Sequence, residues 1–333
     1  MKNVLIIQTA FLGDVVLATA LVEKLRAHYP EAHLDFLLRK GNEGLLVGHP
    51  HLRRVWVWNK RGGKYRDLAR LTRALRRERY ALVVNAQRFA ASGWLTVTSG
   101  ATQTRGFAKN PLARLFSRRF PHQVGDGTHE TARNHQLIAD LTDATPARPR
   151  LYPTAADEAA VRPYQGGDYL TIAPASVWFT KQLPADQWRA LLDALPTDHR
   201  LYLLGGPADG PLCEEIRAAS RHPDAVNLSG KLSLLQSAAL MRGARFNWTN
   251  DSGPMHLASA VDAPTGAVFC STVPAFGFGP LAERSAVIQH AGPLGCRPCG
   301  LHGHRACPEG HFRCAREITT EQLLDGWAEV RGR

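Results

Sequence analysis

The segment around residue 250 combines residue types that can bind an anion. Asp251, Ser252 and Gly253 are typical of a turn before a helix, and Pro254 fits the first helical turn. His256 falls in the same turn. The first N–H groups of a helix have no partner within the helix and lie at the positive end of its dipole. The segment therefore predicts a site for an anion such as a phosphate, with a capped helix that binds nothing as the alternative.

Asp14 is the second candidate. It follows an apolar run at residues 4–8 and precedes a helix predicted over residues 15–29. An acid in the first turn of a helix interacts favourably with the helix dipole, so a structural role is one interpretation. The other interpretation is a general base that accepts a proton from a hydroxyl group. The turn lacks a G-x-G-x-x-G pattern, which argues against a dinucleotide site there.

Lys181 is the third candidate, and it lies in the loop after an apolar run at residues 169–173. A lysine in a loop is usually only a solvated charge. This loop, which also contains Ser176, leaves the first strand predicted for the second half of the chain. Ligands of parallel sheets bind at the carboxyl ends of the strands. The same argument places Gln87 and Arg88, which follow a strand predicted at residues 81–85, near Asp14.

Two sets of alternating strands and helices must position these residues. A segment rich in Pro and Gly, residues 144–168, separates the two sets and is predicted to be a linker. We therefore predict an α/β fold with two Rossmann-like, doubly wound domains, at residues 1–160 and 161–318. The amphipathic helix predicted in residues 319–333 is expected to pack back on the first domain.

The charge of the chain is unevenly distributed. Residues 1–150 contain 25 Lys and Arg against 11 Asp and Glu, whereas the remainder contains 16 against 18. The first half is expected to meet an acidic partner: nucleic acid, an anionic membrane or an acidic lipid-linked sugar. Arginines throughout the helix predicted at residues 65–80 form either a solvated face or a membrane patch. The chain contains neither a secretory signal nor an apolar run of about 18 residues, so we expect a cytoplasmic protein.

Four of the six cysteines lie close together, at Cys296, Cys299, Cys307 and Cys314. The first pair has the C-x₂-C spacing of a metal site, but the second pair does not repeat it. A structural zinc ion, free or redox-active thiols, and disulfides all remain open, although a cytosolic chain disfavours disulfides.

The run Asp251-Ser252-Gly253-Pro254, followed by His256, resembles the donor-site motif of glycosyltransferase family 9, the ADP-heptose:lipopolysaccharide heptosyltransferases. The resemblance covers most of the chain and is strongest at residues 4–28, 172–184 and 226–282. It implies the GT-B architecture, in which two Rossmann-like domains face a central cleft. Leu183 departs from the pattern, since the family often has Trp at this position.

The resemblance also implies roles for the candidate residues in a direct displacement with inversion. Asp14 would be the catalytic base, and Lys181 and Ser176 would contact the donor pyrophosphate. The Ser252 and Gly253 N–H groups would bind the departing ADP, while Asp251 and His256 would hold the heptose or the pyrophosphate. Asp209 is a weaker candidate for a nucleoside contact, and cations such as Arg88, with Gln87 beside it, are candidates for the acceptor. No catalytic metal or other cofactor is expected.

The implied donor is ADP-heptose or a similar nucleotide sugar. The implied acceptor is the acidic inner core of lipopolysaccharide or a related lipid-linked oligosaccharide, at the anionic cytoplasmic face of the inner membrane. Three alternatives remain: a transferase with another nucleotide-sugar donor, a nucleotide-sugar isomerase of the same fold, and a nucleic-acid-binding protein. The last is disfavoured because the basic segments lack interleaved aromatic residues, so no nucleic acid partner is expected.

Overall fold

The computed structural model describes residues 2–60 and 63–332 of the chain. The chain divides into two compact units, Met1–Tyr152 and Pro153–Arg333. This division falls inside the segment 144–168, where prolines and glycines interrupt the pattern of strands and helices. No helix in the described part of the chain is long and apolar enough to cross a bilayer.

The first unit contains a six-stranded parallel sheet with the strand order β3-β2-β1-β4-β5-β6. Its strands are β1 (Asn3–Ile7), β2 (His33–Arg39), β3 (Leu52–Trp58), β4 (Leu82–Asn85), β5 (Gln103–Phe107) and β6 (Arg118–Phe120). Its α-helices in the described residues are α1 (Leu12–His28), α2 (Lys64–Arg77), α3 (Ala90–Thr98) and α4 (Glu130–His135). The order reverses between β1 and β4, which is where Rossmann-like sheets bind their ligands.

The second unit repeats this order with its own six parallel strands, as β12-β11-β10-β7-β8-β9. The strands are β7 (Tyr169–Ala173), β8 (Arg200–Leu203), β9 (Ala225–Asn227), β10 (Phe246–Asn250), β11 (Thr265–Phe269) and β12 (Ser285–Gln289). The α-helices described are α5 (Ala155–Val161), α6 (Ala185–Ala194), α7 (Gly210–Ala219), α8 (Leu234–Gly243), α9 (Gly253–Ala260), α10 (Arg313–Arg316) and α11 (Thr320–Arg331). The reversal lies between β7 and β10.

The inner strands are buried on both faces, which explains their continuous apolar sequences. All residues of β7, β10 and β11 are buried, as are the last four of β1. Helix α1 is also buried along most of its length, and it contacts α4 and β2. The first turn of α1 follows β1 and therefore lies at the carboxyl edge of the first sheet.

The C-terminal helix α11 packs within the second unit, against α6, β11 and β12. Leu323, Trp327 and Val330 belong to the hydrophobic core of this unit. The indole N–H of Trp248, in β10, donates to the Leu323 carbonyl at 2.9 Å. The apolar face of α11 therefore covers the second sheet, and our expectation that this helix also packs back on the first domain stays a prediction.

We predict that Trp327→Ala will destabilise the second unit by about 3–5 kcal/mol, because it leaves a cavity in the core. The Trp327 ring is 7% exposed and meets the Trp248 ring at 5.7 Å. Urea unfolding followed by circular dichroism measures the change. Trp94→Ala is the control, since Trp94 is 49% exposed. Equal stability of the two variants would contradict the packing described here.

Candidate active site

At the reversal point of the first sheet, buried amides join the loops that follow β1 and β4. The Gln87 side chain donates to Gln8 Oε1 at 3.1 Å and accepts from the Arg88 N–H at 2.9 Å. The Gln87 N–H donates to Asn85 Oδ1 at 2.9 Å. Gln87 is 4% exposed. Its amide therefore positions the two loops, and the half-buried Arg88 is the better candidate to contact a ligand.

Asp14 lies in the first turn of α1, beside this pair of loops, and is half-buried. Its Oδ2 accepts a hydrogen bond of 3.2 Å from the Phe11 N–H, which precedes the helix. The structural role that the sequence suggested for Asp14 is thus present. The Asp14 carboxylate also lies at the carboxyl edge of the sheet, where a ligand of the first unit is expected to bind.

Burial raises the pKa of Asp14 to about 6, and the charge of Glu130 adds to the effect. The Phe11 N–H and Arg88 oppose it. Glu130 opens α4, which packs on α1, and both helices start at the carboxyl edge of the sheet. Burial disfavours the ionised form of Glu130, but bonds to His122 and Arg133 lower its pKa overall. An ionised acid therefore stands close to Asp14 and makes its carboxylate more basic.

Glu130 belongs to a buried cluster that the sequence analysis did not predict. Its Oε2 accepts from Arg133 Nε at 2.7 Å, and its Oε1 lies 3.4 Å from His122 Nε2. Glu130, His122 and Arg133 are each at most 4% exposed. The sequence signal was available, since Glu130 precedes Arg133 by one helical turn, but nothing in the sequence indicated that the pair would lie beside Asp14.

In the second unit, the reversal point brings Lys181 and Asp251 together. Lys181 Nζ lies 2.7 Å from Asp251 Oδ2, and the two side chains are only 15% and 7% exposed. The Thr272 hydroxyl donates to the same Asp251 oxygen at 2.6 Å. These residues follow β7, β10 and β11, which are neighbours in the sheet. The sequence predicted Lys181 and Asp251 separately and missed Thr272.

Asn250, the last residue of β10, fixes both ends of the loop that contains Ser176 and Lys181. Its Oδ1 accepts from the Leu183 N–H at 3.0 Å, and its Nδ2 donates to the Pro174 carbonyl at 2.7 Å. Asn250 is fully buried. The loop is therefore anchored at its first and last residues, which limits the positions that the Lys181 ammonium can reach.

Helix α9 begins at Gly253, next to this loop. Within the described residues, the Ser252 hydroxyl does not cap the helix, since it donates to the Asn250 carbonyl at 3.3 Å. Pro254 has no N–H of its own, and His256, which is 6% exposed, completes the first turn. Helix N-termini attract anions, so this end of α9 and Lys181 provide positive potential at the same strand ends.

Asp209 lies farther along the same sheet edge, after β8. Its Oδ2 accepts from the Gly206 N–H at 2.7 Å, so the carboxylate stabilises the turn that contains it. The turn precedes α7 and is partly exposed. Asp209 is thus placed one strand away from the Lys181 loop, and a ligand contact there remains a prediction.

The cysteine-rich loop is defined by residues 296–314, and the structural zinc ion that the sequence left open there stays a prediction. All six cysteines of the chain are free thiols. Among residues 2–60 and 63–332, no group of three or more His, Cys, Asp or Glu side chains is arranged to hold a metal ion. Cys314 is buried in the core, and the Cys299 thiol donates to the Cys296 carbonyl at 3.0 Å. Burial raises the pKa of Cys314 to about 11, which keeps this thiol protonated.

A known protein family matches this chain. The family model described as glycosyltransferase family 9 (heptosyltransferase) matches residues 68–308. The chain belongs to glycosyltransferase family 9. It is 32% identical, over 317 residues, to the lipopolysaccharide heptosyltransferase 1 of Pseudomonas aeruginosa, with 89% of this chain and 86% of that protein covered. The chain is therefore a glycosyltransferase.

Solved structures show the fold of this family 9 chain. The ADP-heptose lipopolysaccharide heptosyltransferase II of Escherichia coli superposes with a TM-score of 0.82 at 20% identity, covering 100% of this chain and 99% of that one. A family 9 glycosyltransferase from Veillonella parvula gives 0.87 at 18% identity, covering 100% and 98%. The predicted α/β class and the GT-B assignment are confirmed.

We predict that the carboxyl of Asp14 in this family 9 enzyme titrates near pH 6, measured by carbon-13 NMR with Asp14→Asn for assignment. The pKa is raised in the folded state, so the carboxylate form that a base requires is lost as the pH falls through about 6. Glu130→Gln should lower the midpoint, because it removes a negative charge beside Asp14.

The matched control is Asp140→Asn, which removes another carboxylate that follows α4. Asp140 pairs with Arg105 and Arg118. This variant should leave the Asp14 midpoint unchanged. A midpoint near 4 in the unmodified protein, or equal shifts in both variants, would contradict the arrangement around Asp14.

Proposed function

We propose that this enzyme transfers heptose from ADP-heptose to an acidic acceptor of the lipopolysaccharide inner core, with inversion at the sugar carbon. The observation that carries the proposal is the Lys181–Asp251 pair at the start of α9, at the reversal point of the second sheet. Family membership and the name of the Pseudomonas relative support the heptose donor and the lipopolysaccharide acceptor.

The second unit is proposed to bind the donor through its pyrophosphate. The Lys181 ammonium, the Ser176 hydroxyl and the Gly253 N–H would contact phosphate oxygens, where negative charge grows as ADP departs. Asp251 and His256 are proposed to hold the heptose or the pyrophosphate, with Asp251 also orienting Lys181. Asp209 would contact the nucleoside.

The first unit is proposed to supply the base. An acceptor hydroxyl attacks the anomeric carbon of heptose, the bond from that carbon to the ADP oxygen breaks, and the hydroxyl proton passes to Asp14. A carboxylate with a pKa of about 6 is ionised at neutral pH and is more basic than an ordinary aspartate. Asp14 is therefore better suited to this step than an exposed acid would be.

Cations at the strand ends of the first unit support an acidic acceptor. Arg39 closes β2, Lys60 follows β3 and Arg88 follows β4. Lys60 Nζ donates to the Thr9 carbonyl at 2.7 Å, and burial lowers the pKa of Lys60 to about 8, with Arg39 contributing. We infer that these groups and Gln87 shape the acceptor site, with Arg88 contacting its acidic groups.

The cationic face of α2 supports a location at the anionic cytoplasmic face of the inner membrane. Its exposed basic residues are Lys64, Arg66, Arg70, Arg73, Arg76 and Arg77. Basic groups near an anionic bilayer contribute about 1 kcal/mol each. We propose that this face holds the enzyme near its lipid-linked acceptor.

We predict that ADP-heptose and ADP stabilise the protein against heat more than UDP- or GDP-sugars do, in the presence of EDTA. Ligand at about 100 times its Kd adds about 2.7 kcal/mol to the free energy of unfolding. EDTA should not reduce the effect, because Lys181 and the α9 N-terminus are proposed to replace a divalent cation. Indifference to every nucleotide would contradict the donor assignment.

We predict that Asp14→Asn lowers the transfer rate by about 10²–10⁴-fold, the usual contribution of a general base. The ADP affinity should be nearly unchanged, since Asp14 lies in the first unit and the proposed donor site in the second. Product analysis with and without acceptor distinguishes transfer from isomerisation. Conversion of the donor without acceptor, or an Asp14→Asn variant of normal rate, would refute the mechanism.

A further inference from the structure

The cysteine-rich loop, far from Lys181 in the chain, is bonded directly to the Lys181 loop. The Thr180 N–H donates to the His304 carbonyl at 3.1 Å, and the His304 N–H donates to the Thr180 hydroxyl at 2.7 Å. Thr180 is 1% exposed and immediately precedes Lys181. Thr180, the residue before Lys181, is therefore tied to the main chain of His304 by two reciprocal hydrogen bonds.

Gly303 packs against the Lys181 side chain itself. A Cβ atom at Gly303 would lie 3.0 Å from Lys181 Cγ, 3.0 Å from Thr180 Oγ1 and 3.3 Å from Trp178 Cβ. The φ of Gly303 is +75°, which glycine adopts readily and other residues rarely do. The absence of a side chain at this position thus allows the loop to lie against the stem of Lys181.

The same loop also contacts residues that support Asp251, the ion-pair partner of Lys181. Arg297 donates to the carbonyls of Cys270 and Thr272 at 2.7 and 2.9 Å. The Thr272 hydroxyl in turn bonds Asp251. The cysteine-rich loop therefore touches the supports of both charges in the Lys181–Asp251 pair.

We propose that residues 297–304 of the cysteine-rich loop are a positioning element of the donor site, which fixes the Lys181 ammonium through Gly303 and His304. The inference rests on the proposed function, in which Lys181 binds the donor pyrophosphate. The loop itself contributes no group to the ligand. Its effect is to limit the places that the ammonium occupies, so that less freedom is lost when the pyrophosphate binds.

The test compares two glycines of this loop. Gly303→Ala adds a methyl group against Lys181, whereas Gly310→Ala adds one where no atom lies within 4 Å. The backbone strain is matched, since Gly310 has a φ of +72°. Calorimetric titration with ADP should show affinity reduced about tenfold in Gly303→Ala, the size expected when a charge-assisted contact is weakened. Gly310→Ala should bind ADP normally.

Binding of adenosine, which lacks the pyrophosphate, distinguishes a misplaced Lys181 from a general distortion of the binding site. Gly303→Ala should bind adenosine as the unmodified protein does. In the Lys181→Met variant, adding Gly303→Ala should cause no further loss of ADP affinity, because both substitutions act through the contact between Lys181 and the pyrophosphate. Equal losses for ADP and adenosine, or additive losses in the double variant, would overturn the proposal.

Thr180 provides an independent test if Gly303→Ala does not fold. Thr180→Val removes the hydroxyl that accepts from His304, and should weaken ADP binding without affecting adenosine. Thr180→Ser keeps a hydroxyl and should restore most of the affinity; equal affinities for Val and Ser would overturn the proposal. An unmodified protein that does not bind ADP, or a Lys181→Met variant that binds it normally, refutes the proposed function instead.

Discussion

The Lys181–Asp251 ion pair imposes the main constraint on the second unit. Two opposite charges that are largely removed from water cost free energy unless other bonds hold them in place. The surrounding structure supplies those bonds: Thr272 on the carboxylate, Asn250 at both ends of the lysine loop, and the contacts from residues 297–304. Three neighbouring strands and a distant loop therefore have to fold correctly before the ammonium stands where a phosphate could meet it.

The first unit solves the opposite electrostatic problem. A general base must accept a proton, so neighbouring cations must not fully neutralise its negative charge. Asp14 is half-buried, with the ionised Glu130 nearby, while Arg88 and the N–H groups of Phe11 and Asp14 act in the other direction. Bonds to Arg133 and His122 hold the Glu130 carboxylate and make its burial tolerable. One reversal point thus holds an ammonium beside its paired carboxylate, and the other holds a carboxylate whose pKa is raised.

Much of this architecture was readable in the sequence, because buried parallel strands are continuous apolar runs. The strand expected at residues 169–173 was placed at its observed limits, and the runs at residues 4–8 and 81–85 correspond to Asn3–Ile7 and Leu82–Asn85. Strands β6 and β12 were not predicted. The first has only three residues, two of them arginine, and the second is an edge strand with mixed polarity.

The limits of the site prediction have a physical origin. Because the ends of the strands could be identified in the sequence, Asp14, Lys181 and Asp251 could be proposed as candidates from their positions after those ends. Which side chains meet depends on tertiary contacts between loops, and no local pattern encodes those. Thr272 and Glu130 were missed for this reason, and so were the hydrogen bonds between the cysteine-rich loop and Thr180.

The shared strand order of the two sheets has an evolutionary consequence. Each unit carries its candidate site residues mainly on loops that leave its own first and fourth strands. Under the proposed mechanism, mutations in one pair of loops alter the choice of one substrate and spare the other. Donor and acceptor preferences can therefore diverge separately between descendants of a common ancestor, without a new scaffold for either.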